Sequence, residues 1–130
     1  MVRTAGFQLL QIRYDILLMN IQIYGAKSCF DTKKAERYFK ERRIKFQSID
    51  LPRYGLSPKE FDLVLSKVGL EAMINKKAKG YDSSFIEYMA SDDDKADKLF
   101  ENPNLISTPI VRNGREITIG YCPDIWKNWE

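Results

Sequence analysis

The chain contains no histidine. That absence removes the commonest general base, the Ser-His-Asp and Cys-His arrangements of nucleophilic hydrolases, and most zinc sites. Cysteine is scarce: Cys29 and Cys122, two in 130 residues, are too few for the disulfide framework of a secreted scaffold. No apolar run approaches the ~18 residues that a membrane-spanning helix needs, and no internal repeat or low-complexity tract is present. A large charge of one sign is lacking too. The 21 basic and 18 acidic side chains leave a formal +3, too small a surplus to argue for direct nucleic-acid binding. The expectation is a soluble, cytoplasmic protein with no membrane contact, metal or bound cofactor. Its chemistry would rest on thiol, carboxylate, hydroxyl, lysine or arginine.

What is present suits one compact α/β domain, with 44% hydrophobic and 12% aromatic residues. Residues 1–18 read as an N-terminal extension: Leu9, Leu10, Ile12, Ile16, Leu17 and Leu18 are apolar, but Arg13 and Asp15 interrupt them, unlike a signal-peptide core. A native tail, an alternative start and an expression artefact all remain open, and the domain is expected over 19–130. Residues 19–24 read as a strand and 29–43 as a helix, with Ala35, Tyr38, Phe39 and the Arg42 stem at helical spacing. Ile44 to Leu51 reads as a second strand, parallel to the first because a helical crossover joins them. Ser57-Pro58-Lys59-Glu60 is a capping box with proline at the first helical position, followed by Phe61, Val64, Leu65 and Val68 and stopped at Gly69. Residues 70–101 read as short helical pieces broken at Gly80, with Asp92-Asp93-Asp94 satisfying a helix N-terminus. Pro109–Arg112 and Glu116–Gly120 flank Asn113-Gly114, a type I′ hairpin signal, and Pro123 opens a terminal helix holding Trp126 and Trp129. Phe46, Phe61, Phe100 and both tryptophans are expected to pack the core. The segment Lys40-Glu41-Arg42-Arg43-Ile44-Lys45 has too little aromatic content for a nucleic-acid platform.

Cys29 carries the chemistry. It follows the strand-like Ile21-Gln22-Ile23-Tyr24 and the turn Gly25-Ala26-Lys27-Ser28, and it opens the first helix. A thiol there faces unpaired backbone N–H groups and the positive end of the helix dipole, both of which favour a nucleophilic thiolate. Lys27, Lys33 and Lys34 are candidates to stabilise negative charge, or are solvated surface. Thr32, one turn along, either donates its hydroxyl to the thiolate or bonds its own helix backbone. Asp31 opposes activation if it points inward, so it is expected to face solvent or cap the helix.

Tyr24-Gly25-x-Lys27-x-Cys29-x-x-Thr32-Lys33-Lys34-Ala35, then Asn102-Pro103-Asn104-Leu105-Ile106-Ser107-Thr108-Pro109-Ile110-Val111, then Ile119-Gly120-Tyr121-x-Pro123 resemble the ArsC/Spx family of arsenate-reductase-related proteins. The resemblance runs from about Met19 to Trp129, with Asn75, Lys76, Gly80 and Tyr81 in the family's helical insert. It implies a thioredoxin-like mixed β-sheet with flanking helices and that insert. Cys29 takes the place of the nucleophilic cysteine. Pro109 matches the proline that is cis in such folds, with the Thr108 backbone facing the thiol and suited to substrate binding.

Departures from the family pattern matter as much. Thr32 stands where Spx-type members have their second cysteine, so no C-x-x-C disulfide can form. Lys33 lies where arsenate reductases tend to have an arginine, while Thr108 and Cys122 replace their two later arginines. Loss of those forks removes bidentate oxyanion recognition, which argues against arsenate reduction. Cys122 is either a resolving thiol for Cys29 or a small buried apolar residue. The implied activity is monothiol redox chemistry: Cys29 attacks an oxidised sulfur or an oxyanion, and glutathione, another thiol or a glutaredoxin-like reductant restores it. The alternative is an Spx-like transcriptional regulator that binds RNA polymerase.

Overall fold

A computed structural model describes residues 20–129. The 1–18 extension and the boundary at Met19 lie outside the described residues. Strand β1 (Ile21–Gly25) sends Ile21 and Ile23 to one face of the sheet and Tyr24 to the other, as strand alternation requires. Helix α1 (Phe30–Glu41) follows after a short turn and buries Thr32, Ala35, Tyr38 and Phe39. It stops before the expected residue 43. Arg43 enters the left-handed region at φ 59°, and the Ile44 and Arg43 N–H groups return to the Phe39 and Lys40 carbonyls at 2.9 and 3.1 Å. This is a Schellman close, with arginine where glycine is usual.

Strand β2 (Phe46–Asp50) lies parallel to β1, with Ile21 opposite Phe46 and Gly25 opposite Asp50. Leu51 has left the strand and begins the one-turn helix α2 (Leu51–Tyr54). Helix α3 (Pro58–Val68) starts with both capping-box bonds in place, Glu60 N to Ser57 Oγ at 3.2 Å and Ser57 N to Glu60 Oε1 at 2.9 Å, and gives way at Gly69. The insert continues in short pieces, α4 (Leu70–Met73), α5 (Tyr81–Ser84), a 3₁₀ turn at Ile86–Tyr88 and α6 (Asp92–Glu101), with Gly80 between α4 and α5. The three aspartates fill the first turn of α6, and Ser91 caps it through the Asp94 N–H.

Strands β3 (Ile110–Asn113) and β4 (Glu116–Ile119) form the expected hairpin. The turn, however, is displaced by one residue from the expected Asn113-Gly114 centre. Asn113 stays in β3 opposite Glu116, so the loop is Gly114-Arg115, with positive φ at Gly114 (61°) but not at Arg115. That is the type II′ pattern. Type I′ would put the Cβ-bearing Arg115 into the left-handed region. The Asn113 side chain instead accepts the Asn20 N–H at 3.3 Å.

Helix α7 (Pro123–Trp126) and a 3₁₀ turn (Lys127–Trp129) close the chain. The sheet order is β2-β1-β3-β4, with β1–β2 parallel and the other pairs antiparallel. On one face Phe39, Tyr38, Ile21, Ile23 and Val111 pack around the fully buried Trp126; on the other, the insert buries Tyr24, Phe61, Met73, Leu99 and Ile110. Phe46 and Trp129 pack against the first core, and Phe100, though 38% exposed, meets Phe61 edge to face. Among the described residues no helix is long and apolar enough to cross a membrane.

Candidate active site around Cys29

Three elements meet at Cys29. It is the N-cap of α1, held in extended geometry (φ −91°, ψ 117°), and its N–H closes the preceding turn on the Ala26 carbonyl at 3.0 Å. The sulfur faces the Thr108 carbonyl, with Sγ donating to it at 3.6 Å, and the Thr108–Pro109 peptide is cis. Pro109 is buried, and its carbonyl accepts the Gly120 N–H at 2.8 Å, which ties the segment to the end of β4.

Opposing effects set the charge on Cys29. Burial pushes the thiol up, but hydrogen bonding by the Thr108 and Thr32 side chains, together with the backbone N–H groups of Thr32 and Asp31, outweighs it and leaves the thiol below its ordinary value. Neither N–H closes a full capping bond to the sulfur, so the helix N-terminus acts on it as a favourable field. Thr32 is buried and its Oγ1 accepts the Ala26 N–H at 3.3 Å, which leaves its hydroxyl proton for another acceptor. Gly25 makes this possible. A Cβ there would lie 2.2 Å from Thr32 Cγ2.

The sulfur opens into a cleft of about 780 Å³ between the Ala26–Cys29 turn and the insert. Thr108 lines this cleft with Cys29. Lys27 and Lys33 do not: both are exposed and line a separate depression of about 350 Å³ beside Glu36 and Asp50, which Thr32 also reaches. Lys33 Nζ lies 5.8 Å from the Phe30 ring centroid. The lysines that line the Cys29 cleft are Lys77 and Lys79, with Asn75 and Asn104 beside them. Sequence reasoning missed both. The basic run Lys76-Lys77-Ala78-Lys79 was visible inside the insert, but only the tertiary fold brings it opposite Cys29.

Cys122 stands apart from this cleft. Both thiols are free; Cys122 precedes α7, donates to the Ile119 carbonyl at 3.3 Å and packs against the Trp126 core. Burial pushes its thiol up, a hydrogen bond with Thr118 lowers it, and the Asp31 carboxylate raises it, for a net rise. Asp31 itself is half exposed and pairs with Lys34 at 4.0 Å. Its charge thus acts on Cys122, an effect that spacing along the chain did not suggest.

The match to known proteins follows the same residues. A model of the ArsC family covers residues 24–129. The chain belongs to the ArsC family. Global transcriptional regulator Spx 2 of Lactococcus lactis subsp. lactis is 28% identical over 104 residues, spanning 78% of this chain and 79% of the relative. The uncharacterized protein YusI of Bacillus subtilis is 23% identical over 117 residues, 85% of this chain and 99% of the relative. Among solved structures, an arsenate reductase from Vibrio cholerae superposes with a TM-score of 0.75 at 22% identity, covering 86% of this chain and 98% of its own. At that identity the likeness establishes the thioredoxin-like ArsC fold.

Proposed function

We propose that this ArsC-family chain is a cytoplasmic monothiol oxidoreductase that acts on disulfides with glutathione or another thiol as reductant. The observation that carries the reading is Cys29: a thiol below its ordinary pKa, beside Thr108, at the wall of an open cleft. In the first step the Cys29 thiolate attacks one sulfur of a substrate RS–SR. A Cys29–S–S–R bond forms, the S–S bond of the substrate breaks, and RS⁻ leaves to be protonated by solvent. In the second step an external thiolate attacks the R sulfur, forms the new disulfide and releases Cys29 as thiolate. Each turnover converts RS–SR and one external thiol into RSH and a new mixed disulfide: the external sulfur is oxidised, the departing RS sulfur is reduced by the same electrons, and Cys29 returns unchanged. The Thr108 and Thr32 hydroxyls, whose hydrogen bonding lowers the Cys29 thiol pKa, would hold the negative charge on the sulfur before attack and after release; the Thr108 carbonyl accepts from the sulfur only while it carries its proton. Recovery of a linked Cys29–Cys122 peptide after peroxide treatment assigns Cys122 the resolving role; without it the external thiol performs all of the release.

The deciding assay is glutathione-dependent reduction of a mixed disulfide by the purified chain and by Cys29→Ser. Turnover abolished in the variant is the expected result, and equal turnover in both overturns the reading. The likeness to Spx 2 favours one other reading, a regulator that binds RNA polymerase. Capture of purified bacterial RNA polymerase by both proteins, with no turnover by either, selects it.

A further inference from the structure

The Cys29 cleft is charged on one side only. Its lining includes Lys77 and Lys79 and no carboxylate. Among the described residues neither lysine has an acidic partner, whereas the adjacent Lys76, outside the cleft, pairs with Glu71 at 3.8 Å. The turn that carries them is ordered without using their side chains. Asn75 Oδ1 accepts the Lys77 N–H at 3.0 Å, and the Asn75 N–H reaches the Leu105 carbonyl at 2.8 Å. Asn104 Nδ2 donates to the Lys79 carbonyl at 3.4 Å, and Ile74 bridges to Ile106. The backbone of this wall is therefore tied to the segment that leads into Thr108, while two ammonium groups remain available to a ligand.

The size of the space narrows the ligand. About 780 Å³ lies in the range of ~300–1,000 Å³ typical of pockets for drug-sized ligands and cofactors, room for a short peptide and far more than a tetrahedral oxyanion fills. Lysine supplies point charges on flexible stems, without the planar fork that clamps a small oxyanion. We infer that Lys77 and Lys79 are the specificity-determining residues of the cleft, and that they hold the carboxylates of a peptide-sized thiol or disulfide whose sulfur lies against Cys29. This assignment rests on the oxidoreductase reading for its chemistry. The binding it describes is separable from turnover.

The test compares two disulfide probes at low ionic strength, the bis-carboxylate 5,5′-dithiobis(2-nitrobenzoate) and the uncharged 2,2′-dithiodipyridine, with adducts assigned to Cys29 by mass spectrometry. In both reactions the Cys29 thiolate attacks one sulfur and the other leaves as an aryl thiolate. In the double variant Lys77→Gln/Lys79→Gln, the rate with the carboxylate probe is expected to fall about tenfold, as two partly screened charge pairs allow. The uncharged probe should keep its rate, and Lys77→Arg/Lys79→Arg should keep both. With Cys29 reacting in the unsubstituted protein, equal changes with the two probes, or no change with either, overturn the assignment. A second arm removes the chemistry: binding of S-methylglutathione, followed by chemical-shift changes in the full chain. Weaker binding by the double glutamine variant supports the assignment even if Cys29 reacts with neither probe, a result that sinks the oxidoreductase reading alone. Unchanged binding, or none to the unsubstituted protein, overturns the lysine assignment.

Discussion

Cys29 and Cys122 make an internal comparison, because one chain holds a thiol pushed below its ordinary value and another pushed above it. Alkylation by iodoacetamide follows the thiolate. As pH rises, Cys29 is expected to label first, with a midpoint below the ~8.5 of a free cysteine, and Cys122 later, with a midpoint above it. Peptide mass spectrometry across a pH series reads both, and coincident midpoints would contradict the geometry. Thr32→Val removes one hydroxyl that favours the thiolate, so the Cys29 midpoint should move up while that of Cys122 stays. Thr32→Ser should restore it. The place of Cys29 between strand and helix was legible in the sequence. Its surroundings were less so: Thr108 acts across the fold, and the role of Gly25 is visible only from the space that Thr32 occupies.

Helix ends show where short-range patterns suffice and where they fail. Ser57-x-x-Glu60 predicted the start of α3, and both reciprocal bonds are present. What the pattern could not carry is that Glu60 also receives the Tyr24 hydroxyl from β1 and pairs with Arg112 of β3 at 3.7 Å. Burial of Tyr24, with Glu60 beside it, pushes the phenol up to about 12. Burial raises the Glu60 carboxyl, but its bonds to Tyr24 and Ser57 and the Arg112 charge hold it below the usual carboxylate range. A depressed folded-state pKa adds stability above the unfolded carboxylate value, and that stability is lost as pH falls through the folded one. Glu60→Ala should therefore cost about 2 kcal/mol in urea unfolding at neutral pH, with the difference shrinking in acid below the ordinary carboxylate pKa. A gap that persists there contradicts the role. The C-terminal end of α1 offers the opposite change. Arg43 holds a left-handed conformation that costs a Cβ-bearing residue ~1–2 kcal/mol, so Arg43→Gly should raise stability by up to about 1 kcal/mol after the entropic cost of glycine. A lower urea midpoint would contradict it.

Two cores on opposite faces of one sheet hold the molecule together, and Trp126 anchors the smaller of them. Its ring lies 5.2 Å from Tyr38 and 5.1 Å from Phe39, and its indole N–H donates to the buried Thr118 hydroxyl at 2.8 Å. Thr118→Val leaves that N–H unsatisfied and should cost ~1–3 kcal/mol, measured by urea unfolding against Thr118→Ser, which keeps the acceptor. Since α1 rests on Trp126 and carries Cys29 at its N-terminus, the same variant should leave the Cys29 labelling midpoint nearly unchanged if the helix keeps its seat.

Periodicity, capping and turn residues act over a few neighbours, so the order of strands and helices, the parallel first pair and the thiol at a helix start were readable from the chain. Resemblance to the ArsC/Spx family added the proline opposite that thiol. Spatial proximity between distant segments is a different kind of information. The cleft that joins Cys29 to Lys77 and Lys79, the action of Asp31 on Cys122, and the Tyr24–Glu60–Arg112 cluster all depend on how the insert and the hairpin settle on the sheet. Packing of two cores sets that placement, and no local rule of spacing encodes it.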